Sequence, residues 1–354
     1  MKSKKYTLNQ LANIKYGKNQ RKVQNEFGDI PIYGTGGLMG YANECLYDKP
    51  SVLIGRKGTI DKVKFVDHPF WTVDTLFFTI VNDEIVYPKY LYYVLSLIDL
   101  NQYNEGTTIP SLRTETLNRI ELDIPSKDYQ KKVLATLEPI EQKVRINSDI
   151  NENLEQQAMA LFKAWFVDYS PFHGLIPSDW KEYKLGEFLP VITGKKNANV
   201  SSKHGEYPFF SCSQDIAWTD EYSFEGNAIL VAGNGDFNVK FYSGKFEAYQ
   251  RTYVLIPYNQ RFTAWLFYAV KHNLNNITVA ARGSVIKFIT KGNLEDFTFH
   301  APIDLEKCTI IDHFTAINNQ IAMNRAENSK LASIRDTLLP RLMSGELDIS
   351  DIDL

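Results

Sequence analysis

Six histidines and three cysteines are the first candidates for metal or redox chemistry in this 354-residue chain. His68, His173, His204, His272, His300 and His313 share no ligand spacing. Cys45, Cys212 and Cys308 are scattered and odd in number, so they form neither a disulfide framework nor a paired metal site. The chain holds no Gly-Lys-Ser/Thr phosphate loop, no His-Glu-x-x-His zinc helix and no Gly-x-Ser-x-Gly nucleophile elbow. Two stretches invite a methyl-transfer reading. Ile32-Tyr-Gly-Thr-Gly36 loosely follows a Phe-x-Gly-x-Gly cofactor loop, and Asp168-Tyr-Ser-Pro-Phe172 loosely follows an Asp-Pro-Pro-Tyr catalytic loop. Neither survives inspection: the first has the glycine-free counterpart Phe209-Phe-Ser-Cys-Ser213, and the second lacks paired prolines and follows a long helical stretch.

The remaining chemistry is that of polar, cationic loops. Lys15, Lys18, Asn19, Gln20, Arg21 and Lys22 combine cations with amides. Arg56 and Lys57 lie between Gly55 and Gly58, and Thr107, Thr108, Ser111 and Arg113 form a third group. Further along come Lys195, Lys196 and Asn197, then Ser213 and Gln214, Asn234 and Asn238, and Arg282, Ser284 and Lys287. Lys and Arg suit phosphates and guanine edges, and Asn and Gln suit adenine edges. A single residue of this kind is more often a solvated turn. As groups, these loops read as nucleic-acid contacts because they recur at matching places in two halves of the chain with different side chains.

That recurrence is a repeat at an offset of 177 residues. Tyr6-Thr-Leu8 aligns with Tyr183-Lys-Leu185, Ile30-Pro-Ile-Tyr33 with Tyr207-Pro-Phe-Phe210, and Val52-Leu-Ile54 with Ile229-Leu-Val231. Gly106-Thr107 aligns with Gly283-Ser284, and Pro125 with Pro302. The period is too long for a solenoid, so a domain plus a long helix has been duplicated. Strands are expected at 51–54, 76–81, 228–231 and 253–256, from β-branched and aromatic runs between Gly-rich turns. A helix is expected from Pro88, with its counterpart at 263–274 fitting better at an offset of 175. This is a mixed α/β (α+β) fold.

The elements that would position the loops are two long helices, 126–166 and 303–344. Val133, Leu137, Ile140, Val144, Asn147, Asn151, Leu154, Ala158, Leu161 and Trp165 alternate in steps of four and three, as a heptad seam does. The second copy reads Ile310, Phe314, Ile317, Ile321, Asn324, Asn328, Leu331, Arg335, Leu338 and Leu342. Pseudo-two-fold packing of a duplicated unit makes them an antiparallel coiled-coil pair. Asn147 then faces Asn328, Asn151 faces Asn324, and Trp165 meets Ile310. Seam asparagines fix register, because slippage would bury an unpaired amide. Pro139 should kink the first helix or mark its true start, Pro340 should bend the end of the second, and Gly345 should cap it.

The net charge of −3 looks unfavourable for a nucleic-acid binder, but its distribution is informative. Residues 1–125 hold 15 Lys/Arg against 14 Asp/Glu and residues 181–302 hold 13 against 11, whereas residues 303–354 hold 5 against 9. Local patches can therefore bind DNA. No apolar run is long enough to span a membrane, and none follows the basic start as in a secretory signal. A reducing, cytoplasmic setting is expected.

Several stretches together carry a resemblance: Gly106-Thr-Thr-Ile-Pro-Ser-Leu112, Tyr129-Gln-Lys-Lys-Val133, Leu161-Phe-Lys-Ala-Trp-Phe-Val-Asp168, Trp180-Lys-Glu-Tyr-Lys-Leu-Gly186 and Leu338-Leu-Pro-Arg-Leu-Met-Ser-Gly-Glu-Leu347. With the duplicated helices, they resemble the specificity (S) subunits of type I restriction-modification systems over essentially the whole chain. Two departures are Ser3, where the second copy has Trp180, and Lys287, where the first has Pro110. The resemblance implies two target recognition domains, 1–125 and 181–302. Helices 126–166 and 303–344 act as spacers, 167–180 is a linker and 345–354 a tail. Each domain would read one half of a split site in double-stranded DNA. Two methyltransferase subunits and translocase/nuclease (restriction) subunits would be partners, with S-adenosylmethionine, ATP and Mg held by them and no catalysis in this chain. The competing readings are a self-contained DNA adenine methyltransferase and a coiled-coil adaptor with no DNA role.

Overall fold

The first and last strands of each half pair with one another. Ser3–Thr7 runs antiparallel to Glu121–Pro125 with Ser3 opposite Pro125. Trp180–Lys184 runs antiparallel to Thr298–Pro302 with Trp180 opposite Pro302, so every partner is displaced by the same 177 residues. The computed structural model of the protein describes residues 3–202, 205–278 and 288–349. It divides into one unit of Met1–Arg145 with Asn328–Leu354 and another of Ile146–Glu327.

In the first unit, strands Ala12–Tyr16, Leu76–Val81, Ser51–Gly55 and Val63–Val66 form an antiparallel sheet in that order. Ser51–Gly55 is buried along its whole length, which is why it reads as a continuous apolar run rather than an alternating one. Helix Pro88–Ser96 buries Tyr90, Leu91, Tyr93 and Leu95 in the same core. Val133 and Leu137 of the first long helix and Leu339 and Leu342 of the second complete it. A separate sheet holds Gly37–Ala42, Ile30–Gly34 and Trp71–Thr72.

In the second unit the corresponding strands form one six-stranded sheet. Its order is Val191–Thr193, Thr252–Leu255, Phe224–Ala232, Val239–Ala248, Tyr207–Phe210 and Ala217–Thr219. Strand Val239–Ala248 spans what the first unit splits into Val63–Val66 and Trp71–Thr72, and Pro69 lies in that gap. Phe224–Ala232 is likewise longer than the expected 228–231, and Pro50 stands just before its counterpart Ser51–Gly55. The isolated bridge Tyr47–Phe70 persists where the second unit pairs Phe224 with Phe246.

Register also locates the length changes that the offset of 175 implied. The connection between the paired residues Ile54 and Val63 is one residue longer than that between Val231 and Val239. Helix Thr263–His272 then matches Pro88–Ser96, and Lys291–Glu295 returns to the first offset against Thr114–Asn118.

The long helices are Lys127–Phe166 and Ile310–Ser344. The first runs through Pro139 without interruption and starts directly after strand Glu121–Pro125, so Pro139 is not its start. The second begins later than the expected residue 303, after a 3₁₀ turn at Leu305–Lys307. That irregular entry leaves carbonyls outside the helical ladder, and Arg261 collects them. Its guanidinium donates to the Leu305, Glu306 and Cys308 carbonyls at 3.1–3.3 Å and pairs with Asp312 at 2.8 Å. At the same joint of the first unit a buried amide does the work. Gln130 accepts from the Tyr87 N–H at 2.9 Å and donates to the carbonyls of Ile85 and Pro125 at 2.9 and 3.0 Å.

Within the second unit Asn324 Nδ2 donates to Asn151 Oδ1 at 2.8 Å, and Asn147 Nδ2 to Glu327 at 2.7 Å. Within the first, Asn328 Nδ2 donates to the Val144 carbonyl at 3.2 Å and the Tyr129 hydroxyl to the Leu342 carbonyl at 2.7 Å. In each unit the two helical segments run antiparallel. The heptad seam itself needs correction at one end. Leu161, Trp165 and Ile310 are only partly buried, and the neighbouring Phe162, Phe166 and Ile311 are the buried ones. There the helices pack on their own unit's domain as well as on each other: Phe166 lies 5.4 Å from the Trp180 ring and 5.5 Å from Trp265.

Removing the Gln130 amide strands a buried N–H and two carbonyls. Gln130→Leu should lower the stability of the first unit by about 2–3 kcal/mol, read as an earlier chemical-denaturation midpoint. Lys307→Ala, at the repeat-equivalent and exposed position, should leave that midpoint in place.

Candidate nucleic-acid interface

In the first unit three of the cationic loops converge on Arg56. The chain leaves strand Ala12–Tyr16 through Gly17, where a Cβ would lie 2.0 Å from the Val73 carbonyl oxygen; at Gly194, its counterpart, a Cβ would lie 2.1 Å from that of Ala248. Only glycine permits either exit. Lys18 is then pinned by its backbone, its N–H donating to Thr72 at 2.8 Å and its carbonyl accepting from Trp71 Nε1 at 2.9 Å. Its side chain is left exposed, as are those of Lys15, Asn19, Arg21 and Lys22. Asn19 Oδ1 accepts from the Arg21 N–H, forming a local turn, and Gln20 supplies the carbonyl for Val23 and Gln24.

Arg56 packs its guanidinium 5.1 Å above the Tyr16 ring and donates to the Asp74 carbonyl at 2.8 Å. Its own carbonyl accepts from Leu112, and Gly58 donates to Pro110. Lys57, bridged to Ser111 by its backbone, is exposed. Asn104 Oδ1 closes the third loop by accepting from Gly106 and Ser111 at 2.9 Å, which leaves Thr107 and Thr108 outermost. Arg113 sits 3.1 Å from Glu105 in an exposed pair of little energetic weight.

The second unit gathers its loops through internal hydrogen bonds. Asn238 is buried and donates to the carbonyls of Cys212 and Asp236 at 3.0 and 2.7 Å. Asn234 Oδ1 accepts from the Cys212 thiol, and Gln214 donates to Asp236 at 2.8 Å. Lys240 donates to the Ser213 carbonyl and to Asn238 Oδ1. Burial holds the Lys240 ammonium below the ordinary lysine pKa, against the opposing pull of Cys212, Asp236 and Asp215. Asn238 therefore shapes the loop from inside, whereas Ser213 and Gln214 remain exposed. Lys195 and Asn197 are exposed, and Lys196 pairs with Glu221 at 2.9 Å, which raises the lysine pKa and lowers that of the glutamate. Arg282, Ser284 and Lys287 lie outside the described residues. No cluster of three or more His, Cys, Asp or Glu able to hold a metal occurs among the described residues, nor a helix long and apolar enough to cross a membrane.

The sequence reading passed over Tyr16 and Lys240. The repeat could have found the second: one residue off the main offset, Lys64 is its counterpart, and its ammonium lies 3.9 Å over the Tyr33 ring. Asn238→Ala should release the Cys212 and Asp236 carbonyls and cost the second unit about 1–3 kcal/mol. The measurement is its denaturation midpoint, and Ser213→Ala should not shift it.

Comparison with known proteins matches both halves of the chain to one family model. Residues 2–156 and 177–333 match the family model described as the type I restriction modification DNA specificity domain. The specificity subunit of the type I restriction enzyme EcoDI of Escherichia coli is 36% identical over 178 residues, which is 49% of this chain and 40% of that protein. The MjaIX specificity subunit of Methanocaldococcus jannaschii is 23% identical over 360 residues, 87% of this chain and 81% of its own. The crystal structure of a type I restriction-modification S subunit from M. genitalium shares the fold, with a TM-score of 0.63 and 18% identity over 97% of this chain and 96% of that one.

Proposed function

The chain belongs to the type I restriction-modification DNA specificity family, and from that premise we propose that it is the sequence-reading subunit of such a complex. Residues 1–125 and 181–302 are its target recognition domains, and each reads one half of a split site in duplex DNA. Helices Lys127–Phe166 and Ile310–Ser344 set the spacing of the halves and dock two methyltransferase subunits, with restriction subunits joining them in the cytoplasm. The subunit itself is non-catalytic, and S-adenosylmethionine, ATP and Mg belong to its partners. It works by placement: exposed cations such as Lys18, Lys22 and Lys57 take phosphates, and amides and hydroxyls of the same loops take base edges.

One observation carries this reading. A single backbone frame, repeated in the same strand registers, presents loops at equivalent places whose side chains differ. A duplicated enzyme would keep its reacting groups alike in both copies. Two readers of different half-sites keep the frame and change the loops.

Co-expression with the methyltransferase encoded beside it, followed by mapping of methylated adenines, should reveal a split motif. Exchanging residues 1–125 for another family member's should change one half of that motif only. Methylation by the purified chain alone would instead establish the stand-alone methyltransferase. Lys57→Ala should lower the slope of log affinity against log salt by about one. Arg113→Ala and Lys287→Ala should weaken DNA binding in a retardation assay, and unchanged binding by both would remove those loops from the interface.

A further inference from the structure

Each unit carries a two-stranded finger that shows large apolar side chains to solvent. In the first unit Ile30–Gly34 pairs with Gly37–Ala42, placing Pro31 opposite Tyr41. In the second, Tyr207–Phe210 pairs with Ala217–Thr219, placing Pro208 opposite Trp218. Met39 and Tyr41 are 53% and 43% exposed, and Ile216 and Trp218 are 46% and 48% exposed. The 177-residue offset superposes Met39 on Ile216 and Tyr41 on Trp218. Single exposed apolar residues are ordinary on any protein. A pair at the same two positions of both copies, different in identity and alike in character, is a shared feature.

The borders of the fingers are also shared. The Asn25 N–H donates to the Tyr41 carbonyl at 2.9 Å, and the Ser202 N–H to that of Trp218 at 2.7 Å. A Cβ on Gly28 would fall 2.4 Å from the Ala42 carbonyl oxygen, and one on Gly205 2.3 Å from the Thr219 nitrogen. The loop bearing Lys18, Arg21 and Lys22, or Lys195 and Lys196, is thus laced along one edge. At the tip, Thr35 Oγ1 comes within 3.9 Å of the Cβ position of Gly58, beside Arg56 and Lys57. The equivalent tip, Cys212 and Ser213, is held by Asn234, Asn238 and Lys240.

An apolar strip edged by cations and amides is complementary to a nucleic-acid groove, whose floor offers base edges and thymine methyls and whose walls are phosphates. Resting on the reading above, we propose that fingers 30–42 and 207–219 enter a groove of duplex DNA. Met39 with Tyr41, and Ile216 with Trp218, lie against the bases of their respective half-sites while the flanking cations take the phosphates.

The test uses the full chain in complex with its methyltransferase, and two probes: a duplex carrying the mapped split motif and one with both halves scrambled. Tyr41→Ala and Trp218→Ala should each weaken binding to the motif about 10- to 100-fold, the cost of losing a base-specific contact. The salt slope should stay unchanged, because apolar contacts displace no counterions. Trp218→Phe should largely restore affinity. Ile216→Ser carries the second unit if Trp218→Ala fails to melt at the wild-type midpoint. A wild-type complex that does not distinguish the two duplexes defeats the DNA-reading function itself. A wild-type complex that distinguishes them, with the variants binding within twofold of it, defeats the finger proposal alone. Loss of the methyltransferase from the variants, with DNA affinity intact, would make the fingers a protein-docking surface and overturn the proposal equally.

Discussion

Both halves of the chain depend on the strand pair that joins the beginning of a domain to its end. Once Ser3–Thr7 is paired with Glu121–Pro125, or Trp180–Lys184 with Thr298–Pro302, the segment between them is closed on itself. The last strand of each pair then delivers the chain into a long helix. The entropy of closing a loop rises only with the logarithm of its length. The intervening connections can therefore gain or lose residues without loosening the closure, and the structure shows them doing so. The first length change lies between Ile54 and Val63, inside a cationic loop, while the strands on either side keep their partners. Variation is confined to the places where it changes the presented surface and leaves the frame intact.

Conserved geometry with exchanged chemistry is also visible at the joints between domain and helix. The first unit uses a neutral amide, Gln130, reaching from the helix to the domain backbone. The second uses a cation, Arg261, reaching from the domain to the helix entry. The cation fits where the entry is a 3₁₀ turn, because the Leu305, Glu306 and Cys308 carbonyls there keep a free lone pair and, with the Asp312 carboxylate, all accept from a guanidinium. About two turns further along, the Tyr268 hydroxyl donates to Asn318 at 2.7 Å. Its counterpart Tyr93 is buried near Glu141, and burial first and that carboxylate second push its hydroxyl pKa up. The same buried position carries a tyrosine in both copies, hydrogen-bonded to an amide in the second and set beside a carboxylate in the first.

Much of this was legible in the sequence because duplication writes each position twice. The strand at 51–54, the helix from Pro88 and the polar loops follow from periodicity and turn chemistry, and the repeat turns isolated loops into matched groups. What escaped did so for physical reasons. A heptad pattern describes a helix packed on one partner. Near their domains these helices have two, so burial moves to Phe162, Phe166 and Ile311. The merging of two sheets into one depends on Val239–Ala248 running unbroken between Phe224–Ala232 and Tyr207–Phe210, a long-range pairing that local patterning does not encode. Asn238 has the residue type of a base reader and the environment of an internal strut, and only its hydrogen bonds separate the two. Met39, Tyr41, Ile216 and Trp218 look like core residues until their exposure is seen.

A net charge of −3 is compatible with reading DNA because the two units present their polar groups differently. In the first, Lys15, Lys18, Arg21, Lys22 and Lys57 stand exposed around a frame fixed by backbone bonds, an arrangement suited to phosphates. In the second, Lys196 is paired with Glu221 and Lys240 is turned inward, so the described loops are held by their own side chains. A loop tied this way loses little conformational freedom on binding. Selectivity can then come from fixed amides and an apolar finger rather than from charge, and such contacts, unlike phosphate contacts, keep their strength as salt rises.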